Sequence, residues 1–221
     1  MPEKNETNKV RLIGEVISEF TFNHEVFGEK FYFVSLSVTR LSGQVDVIPI
    51  SISERLMDIS KDYRGTTMEV LGQFRSYNRH DGEKSHLILF VFAQEVRLLE
   101  EPAGYTGTNQ TFLDGYICKK PIYRRTPMGR EIADMLLAVN RLCRKTDYIP
   151  CIVWGRNARY ASGFDVGSHV CVEGRIQSRE YMKKLSETEC EKHVAYEVSV
   201  SKYLDNRRSL EKGEDDGGGV A

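Results

Sequence analysis

Residues 136–155 read LLAVNRLCRKTDYIPCIVWG, and an echo lies 101 positions upstream, where 35–54 read SLSVTRLSGQVDVIPISISE. In the later stretch the period of two that a β-strand imposes sorts residues 147–154 into two faces. Ile149, Cys151 and Val153 fall on one side, an ordinary core face. Tyr148, Pro150, Ile152 and Trp154 fall on the other, and Trp154 is the only Trp of the chain. A turn carrying Arg141, Arg144 and Lys145 precedes the strand. Flat rings beside positive charge are what a surface needs to stack bases and neutralise phosphates.

The echo extends in both directions. At the same shift Asn8 meets Asn109, Leu12 meets Leu113, Gly14 meets Gly115, Arg40 meets Arg141 and Asp46 meets Asp147. One more residue of shift brings Gly72 onto Gly174 and Ser76 onto Ser178. So many matches in order, with a single slip, identify two copies of one unit of about 100 residues. The copies span 1–100 and 109–205. Between them 101–108, with Pro102, Gly104 and Gly107, reads as a linker, and 206–221 as a disordered acidic and Gly-rich tail.

Each copy reads as mostly strands. In the second these are 110–119, 130–141, 147–154, 167–177 and 195–204, with a short helix or turn at 157–162 and an extended hairpin loop at 181–192. In the first copy Leu56, Ile59 and Tyr63 stand near helical spacing, with Gly65 as a stop, and predict a longer helix over 54–63. Five strands with a helix between the third and fourth is the order of an OB-fold, a five-stranded Greek-key barrel. The fold class expected is therefore all-β, two tandem OB-folds.

Of the 221 residues 40% are hydrophobic and 29% charged, the balance of a soluble globular chain. The formal net charge of −1 is unevenly divided. Residues 1–104 hold 12 basic and 16 acidic side chains, a net −4, while 105–205 hold 16 basic and 12 acidic, a net +4. The second copy is thus the better partner for a polyanion. No apolar run approaches bilayer length and the polar start MPEKNETNK is not a signal peptide, so no membrane partner and a cytoplasmic location are expected. The five cysteines are odd in number and include no C-x-x-C pair, which argues against disulfides and zinc. Cys151 and Cys171 read as small apolar residues on core faces. The five histidines show no ligand spacing, and no nucleophile or phosphate-loop motif is present. No enzyme, metal or cofactor is expected.

The second copy resembles the bacterial single-stranded DNA-binding protein family over 109–205. The resemblance is carried by Asn109, by LDG at 113–115, PIYRRTPMG at 121–129, LAVNR at 137–141, DYIPCIVWG at 147–155, Gly167 and VEGR at 172–175 running into Tyr181. It implies sequence-nonspecific binding of single-stranded DNA, in replication, recombination and repair, in the bacterial cytoplasm on the nucleoid. By the same resemblance Trp154 and Phe164 are stacking positions, with Tyr148 and Tyr181 as further aromatics. Arg124 and Arg156 stand at its basic positions. Arg141, Arg175 and Lys183 add phosphate-neutralising charge. The family assembles four such units, so two per chain imply a homodimer presenting four barrels. Its acidic tails end in an apolar tip that recruits replication and repair proteins. Here Glu214, Asp215 and Asp216 are followed by GGGVA, which lacks that tip.

Across the repeat Trp154 becomes Ser53 and Tyr148 becomes Val47, while the core residues Ile48, Ile50 and Ile52 are kept. The first barrel is expected to bind more weakly and to carry a larger structural share. Its Phe20, Phe22, Phe27, Phe31, Tyr32, Phe33 and Tyr77 read as core or subunit interface, with a different binding face as the alternative. Two other functions fit the same barrels: an RNA-binding module, and a protein-interaction scaffold of a replication or conjugation complex.

Overall fold

The alternation that marks each strand in the sequence becomes the inside and outside of a barrel. In the computed structural model, residues 7–82, 84–100, 108–184 and 190–204 are described, without the side chains of 80, 81, 84, 183, 184 and 190. The first copy contributes β1 (Asn8–Val16), β2 (Thr21–Val26), β3 (Glu29–Thr39), β4 (Val45–Ser53), β5 (Thr67–Asp81) and β6 (Lys84–Leu99). The second contributes β7 (Asn109–Arg125), β8 (Glu131–Asn140), β9 (Thr146–Trp154), α1 (Arg156–Ala161), β10 (His169–Lys184) and β11 (Cys190–Leu204). Of the expected linker 101–108 only residue 108 is described, and the expected tail 206–221 lies wholly outside the described residues.

Each set closes on itself. β7 pairs with β8 on one side and β10 on the other, and β11 joins β10 to β9. In the first copy β1 pairs with both β3 and β5, and β6 joins β5 to β4. The two barrels are tandem OB-folds. Their cores are built from matching positions: Leu12 and Leu113, Leu36 and Leu137, Ile48 and Ile149 are all fully buried. Burying each such side chain is worth about 1.5–3 kcal/mol. At the bulge where β5 bends, a Cβ on Gly72 would run into the Phe92 carbonyl oxygen, and one on Gly174 in β10 into that of Ser199. That is why both copies keep glycine there.

Three expectations change. The first copy forms six strands, because β2 is separate where β7 runs unbroken from Asn109 to Arg125. The helix predicted at 54–63 is a run of turns, so only the second barrel carries a helix between its third and fourth strands. The cause is local: Asp58 accepts hydrogen bonds from the Ser60 backbone N–H (3.1 Å) and hydroxyl, and Asp62 accepts one from the Arg64 N–H (3.0 Å). Short acidic side chains divert the backbone from a helical ladder. Leu56, Met57 and Tyr63 still pack on the core. The loop predicted at 181–192 is largely ladder, since β10 and β11 pair as far as Lys184 and Cys190.

The barrels join through antiparallel pairing of β1 with β7, Asn8 opposite Leu113 through Leu12 opposite Asn109. The join is nearly two-fold symmetric. The Ile13 N–H donates to the Thr108 carbonyl and the Asp114 N–H to that of Thr7. Asp46, fully buried, accepts two bonds of 2.6 Å from Arg40 and one of 2.7 Å from the Ser178 N–H of the other barrel. Asp147 does the same with Arg141 (2.6 and 2.5 Å) and the Ser76 N–H (2.6 Å). Buried carboxylates need such partners, and these hold one barrel to the other.

Candidate nucleic-acid interface

Pairing across β7, β8 and β9 lines up one face in rows, in which Ile132 and Ile152 are themselves covered. Arg124, Ile132 and Trp154 form one row, Ile122, Asp134 and Ile152 the next, and Tyr116, Ala138 and Tyr148 another. Trp154 is 38% exposed and Tyr148 43%, while the alternate residues Asp147, Ile149, Cys151 and Val153 are buried. The two aromatics of the opening stretch therefore share the solvent side of one strand.

Beside Trp154 runs a groove of about 660 Å³ with Arg124, Arg130, Arg175 and Arg179 along its walls and Arg40 of the first barrel at its rim. Arg124 is held by Asp134 at 2.7 and 3.2 Å, which raises its guanidinium pKa above the ordinary value. Arg130 and Arg179 make no ion pair among the described residues. Burial, then the charge of Arg40, holds the Arg175 guanidinium below its ordinary value. Arg40 is itself paired with Asp46, so at this end of the groove Arg175 is the cation left to meet an anion. Arg40 was not singled out from the sequence. Its repeat match with Arg141 was the available signal, but the contact lies between barrels.

The other expected residues lie elsewhere. Arg141 is spent on Asp147 and donates to the Ser76 carbonyl at 3.1 Å, which removes it from the outer face. Phe164 turns inward against the core, edge-on to Tyr160 (5.0 Å) and Tyr203 (5.7 Å), because the turn after α1 folds it under the barrel. Arg156 is exposed at the start of α1. Tyr181 is exposed on β10 and stacks on His193 at 5.7 Å. Lys183 pairs with Glu191 in the β10–β11 ladder, and its side chain lies outside the described ones.

On the matching face of the first barrel the aromatics sit on other strands and contact each other. His24 stacks on Phe31 at 4.9 Å, Phe31 tilts against Phe92 at 5.8 Å, and the Arg75 guanidinium lies 3.7 Å over the Phe92 ring. Phe90 takes the edges of Phe33 (5.5 Å) and Tyr77 (5.8 Å). Burial, then the neighbouring Arg141 charge, pushes the Arg75 pKa down to about 10, so it stays cationic at neutral pH.

Away from both faces, at the seam of β7 and β10, Asp114, His169 and Cys171 come together, a grouping that residue spacing did not show. Cys171 is buried as expected, but beside these polar groups, while its neighbours Val170 and Val172 point to the core.

Residues 108–204 match the Single-strand binding protein family. Over 80 residues the chain is 41% identical to Single-stranded DNA-binding protein 2 of Listeria innocua, covering 33% of this chain and 50% of that protein. It is 39% identical over 80 residues to Single-stranded DNA-binding protein A of Bacillus subtilis, covering 33% and 46%. The chain spans about half the length of the curated relatives it matches. Among solved structures, the wild-type single-stranded DNA binding protein from Thermus aquaticus superposes with a TM-score of 0.68 at 22% identity, covering 97% of this chain and 96% of that one. At that identity the likeness speaks for the fold, and it includes both barrels. The family match is thus confined to the second barrel, while the likeness in fold extends over both.

Proposed function

We propose that the chain binds single-stranded DNA without sequence preference, coating exposed strands during replication, recombination and repair. The observation that carries this is the groove in which Trp154 lies among arginines with room for phosphates. Trp154 and Tyr148 supply stacking faces, at about 1–3 kcal/mol per base. Arg130, Arg175 and Arg179 supply phosphate contacts, with Arg124, Arg156, Tyr181 and Lys183 extending the path. Each such barrel would hold roughly 4–16 nucleotides. The action is passive: bound bases cannot re-pair.

We further propose a homodimer that presents four barrels, located on bacterial DNA in the cytoplasm. No helix among the described residues is long and apolar enough to cross a membrane. Replication or repair proteins are proposed partners, reached otherwise than through an apolar tail tip, since GGGVA at 217–221 supplies none.

Titration of Trp154 fluorescence with oligo-dT tests the binding. Quenching is expected, with affinity falling as salt rises. About three phosphate contacts give a slope near −2 in log K against log salt, or a loss of about 15- to 20-fold between 50 and 200 mM. Tighter binding of oligo-U than of oligo-dT would favour the RNA reading, since the groove would then be using the 2′-OH. Absence of both quenching and a gel shift would reject strand binding and leave the protein-scaffold reading.

A further inference from the structure

We propose that Asp114, His169 and Cys171 form a site for one zinc-class divalent metal ion at the seam of the second barrel. The geometry starts from strand period. His169 and Cys171 are two apart on β10 and so share a face, and Asp114 on β7 stands directly opposite Cys171. The donor atoms of the three side chains all lie within 4.8 Å of one another. His169 Nε2 lies 2.5 Å from Asp114 Oδ1, and the Tyr116 ring leans on the imidazole at 4.9 Å. These contacts hold the imidazole and carboxylate side by side before any ion arrives.

The donor set is one thiolate, one imidazole and one carboxylate. Three protein ligands plus a water is a four-coordinate arrangement that zinc accepts, with bonds of about 2.0–2.3 Å. A thiolate and an imidazole disfavour magnesium and calcium, which take oxygen ligands. Cys171 is 7% exposed, while the Asp114 and His169 side chains are 29% and 34% exposed, so the pocket has a protected sulfur side and an open side for water. Admitting the ion requires the His169–Asp114 hydrogen bond to open by about an ångström, within reach of two partly exposed side chains.

The first barrel serves as an internal control. Its matching residues are Ile13, Thr67 and Glu69, with Ile13 opposite Glu69 in the same ladder. Only Glu69 could ligate there, and it is held by Arg11 at 2.7 Å. The backbone seam is shared by both copies, yet the donors are present in one. The barrel fold does not impose them. Burial, then Asp114, pushes the Cys171 thiol up to about 11, so without metal it is an unreactive thiol. An ion at this point would tie the start of β10 to β7, where the barrel closes.

The test uses the full chain and cobalt(II) as probe. A thiolate-to-cobalt charge-transfer band saturating at one ion per chain is expected, displaced by zinc. Zinc should also raise the melting temperature. Cys171→Ser should remove the band, His169→Ala or Asp114→Asn should weaken binding by at least about tenfold, and Cys143→Ser should leave it intact. Unchanged oligo-dT binding by Cys171→Ser would separate loss of metal from misfolding. No thiolate band, or a band that survives Cys171→Ser, would overturn the site.

Discussion

Replacing Asp147 with alanine is expected to cost about 3–5 kcal/mol of stability, the penalty for stranding the partner of a buried ion pair. Asp147 is 1% exposed and accepts from Arg141 twice and from the Ser76 N–H. The Arg141 side chain is itself only 19% exposed, so solvent cannot take over that role. The Ser76 N–H would lose its acceptor as well. Against a typical total of about 5–15 kcal/mol, this is a large fraction. For a chain of this size it should lower the melting temperature by roughly 6–20 °C. Asp46→Ala should behave alike, because Arg40 and Ser178 repeat the arrangement. Asp147→Asn should cost less, since an amide oxygen can still accept from Ser76. Chemical unfolding measures this directly: the midpoint should fall with little change in slope. A loss below about 1 kcal/mol for Asp147→Ala would mean that Arg141 and Ser76 find water, and that Asp147 does not hold the barrels together.

The same residues show what sequence can and cannot reveal. Asn8 and Asn109, Arg40 and Arg141, Asp46 and Asp147, and Ser76 and Ser178 made the repeat detectable. Their shared reason was hidden, because each carboxylate meets a serine on the other barrel, and a one-dimensional match places partners side by side only within a copy. Asn8 and Asn109 did have a partner within their own barrels: each amide bridges a strand, to Phe74 and Ile176 respectively. Strand alternation was legible because it follows from backbone geometry. The helix predicted at 54–63 followed apolar spacing and overlooked Asp58 and Asp62, whose side chains compete for backbone N–H groups. Phe164 carried the right chemistry in the right order, but a turn of four residues decides which way a ring points, and here it points to Tyr203. The Asp114, His169 and Cys171 group joins residues on two strands, and only β7–β10 register brings them together.

Trp154→Ala is expected to weaken oligo-dT binding by about 5- to 150-fold, the equivalent of one stacked base at about 1–3 kcal/mol. Phe92→Ala, on the matching face of the first barrel, should weaken it less than about fivefold. The difference rests on which ring faces are free. Trp154 makes no ring contact among the described residues, so a base can lie against it. Phe92 has the Arg75 guanidinium 3.7 Å over one face and Phe31 against it at 5.8 Å. A base could stack there only by displacing Arg75, and giving up that cation–π attraction would offset much of the stacking energy. Phe31 is similarly engaged by His24. Both variants can be compared in the full chain by gel shift or anisotropy, which do not depend on Trp fluorescence. Their melting temperatures separate lost stacking from lost packing, and Phe92→Ala should show the larger fall. If Phe92→Ala weakens binding as much as Trp154→Ala at equal stability, the aromatic face of the first barrel opens to receive bases, and the unequal division of labour between the two barrels is wrong.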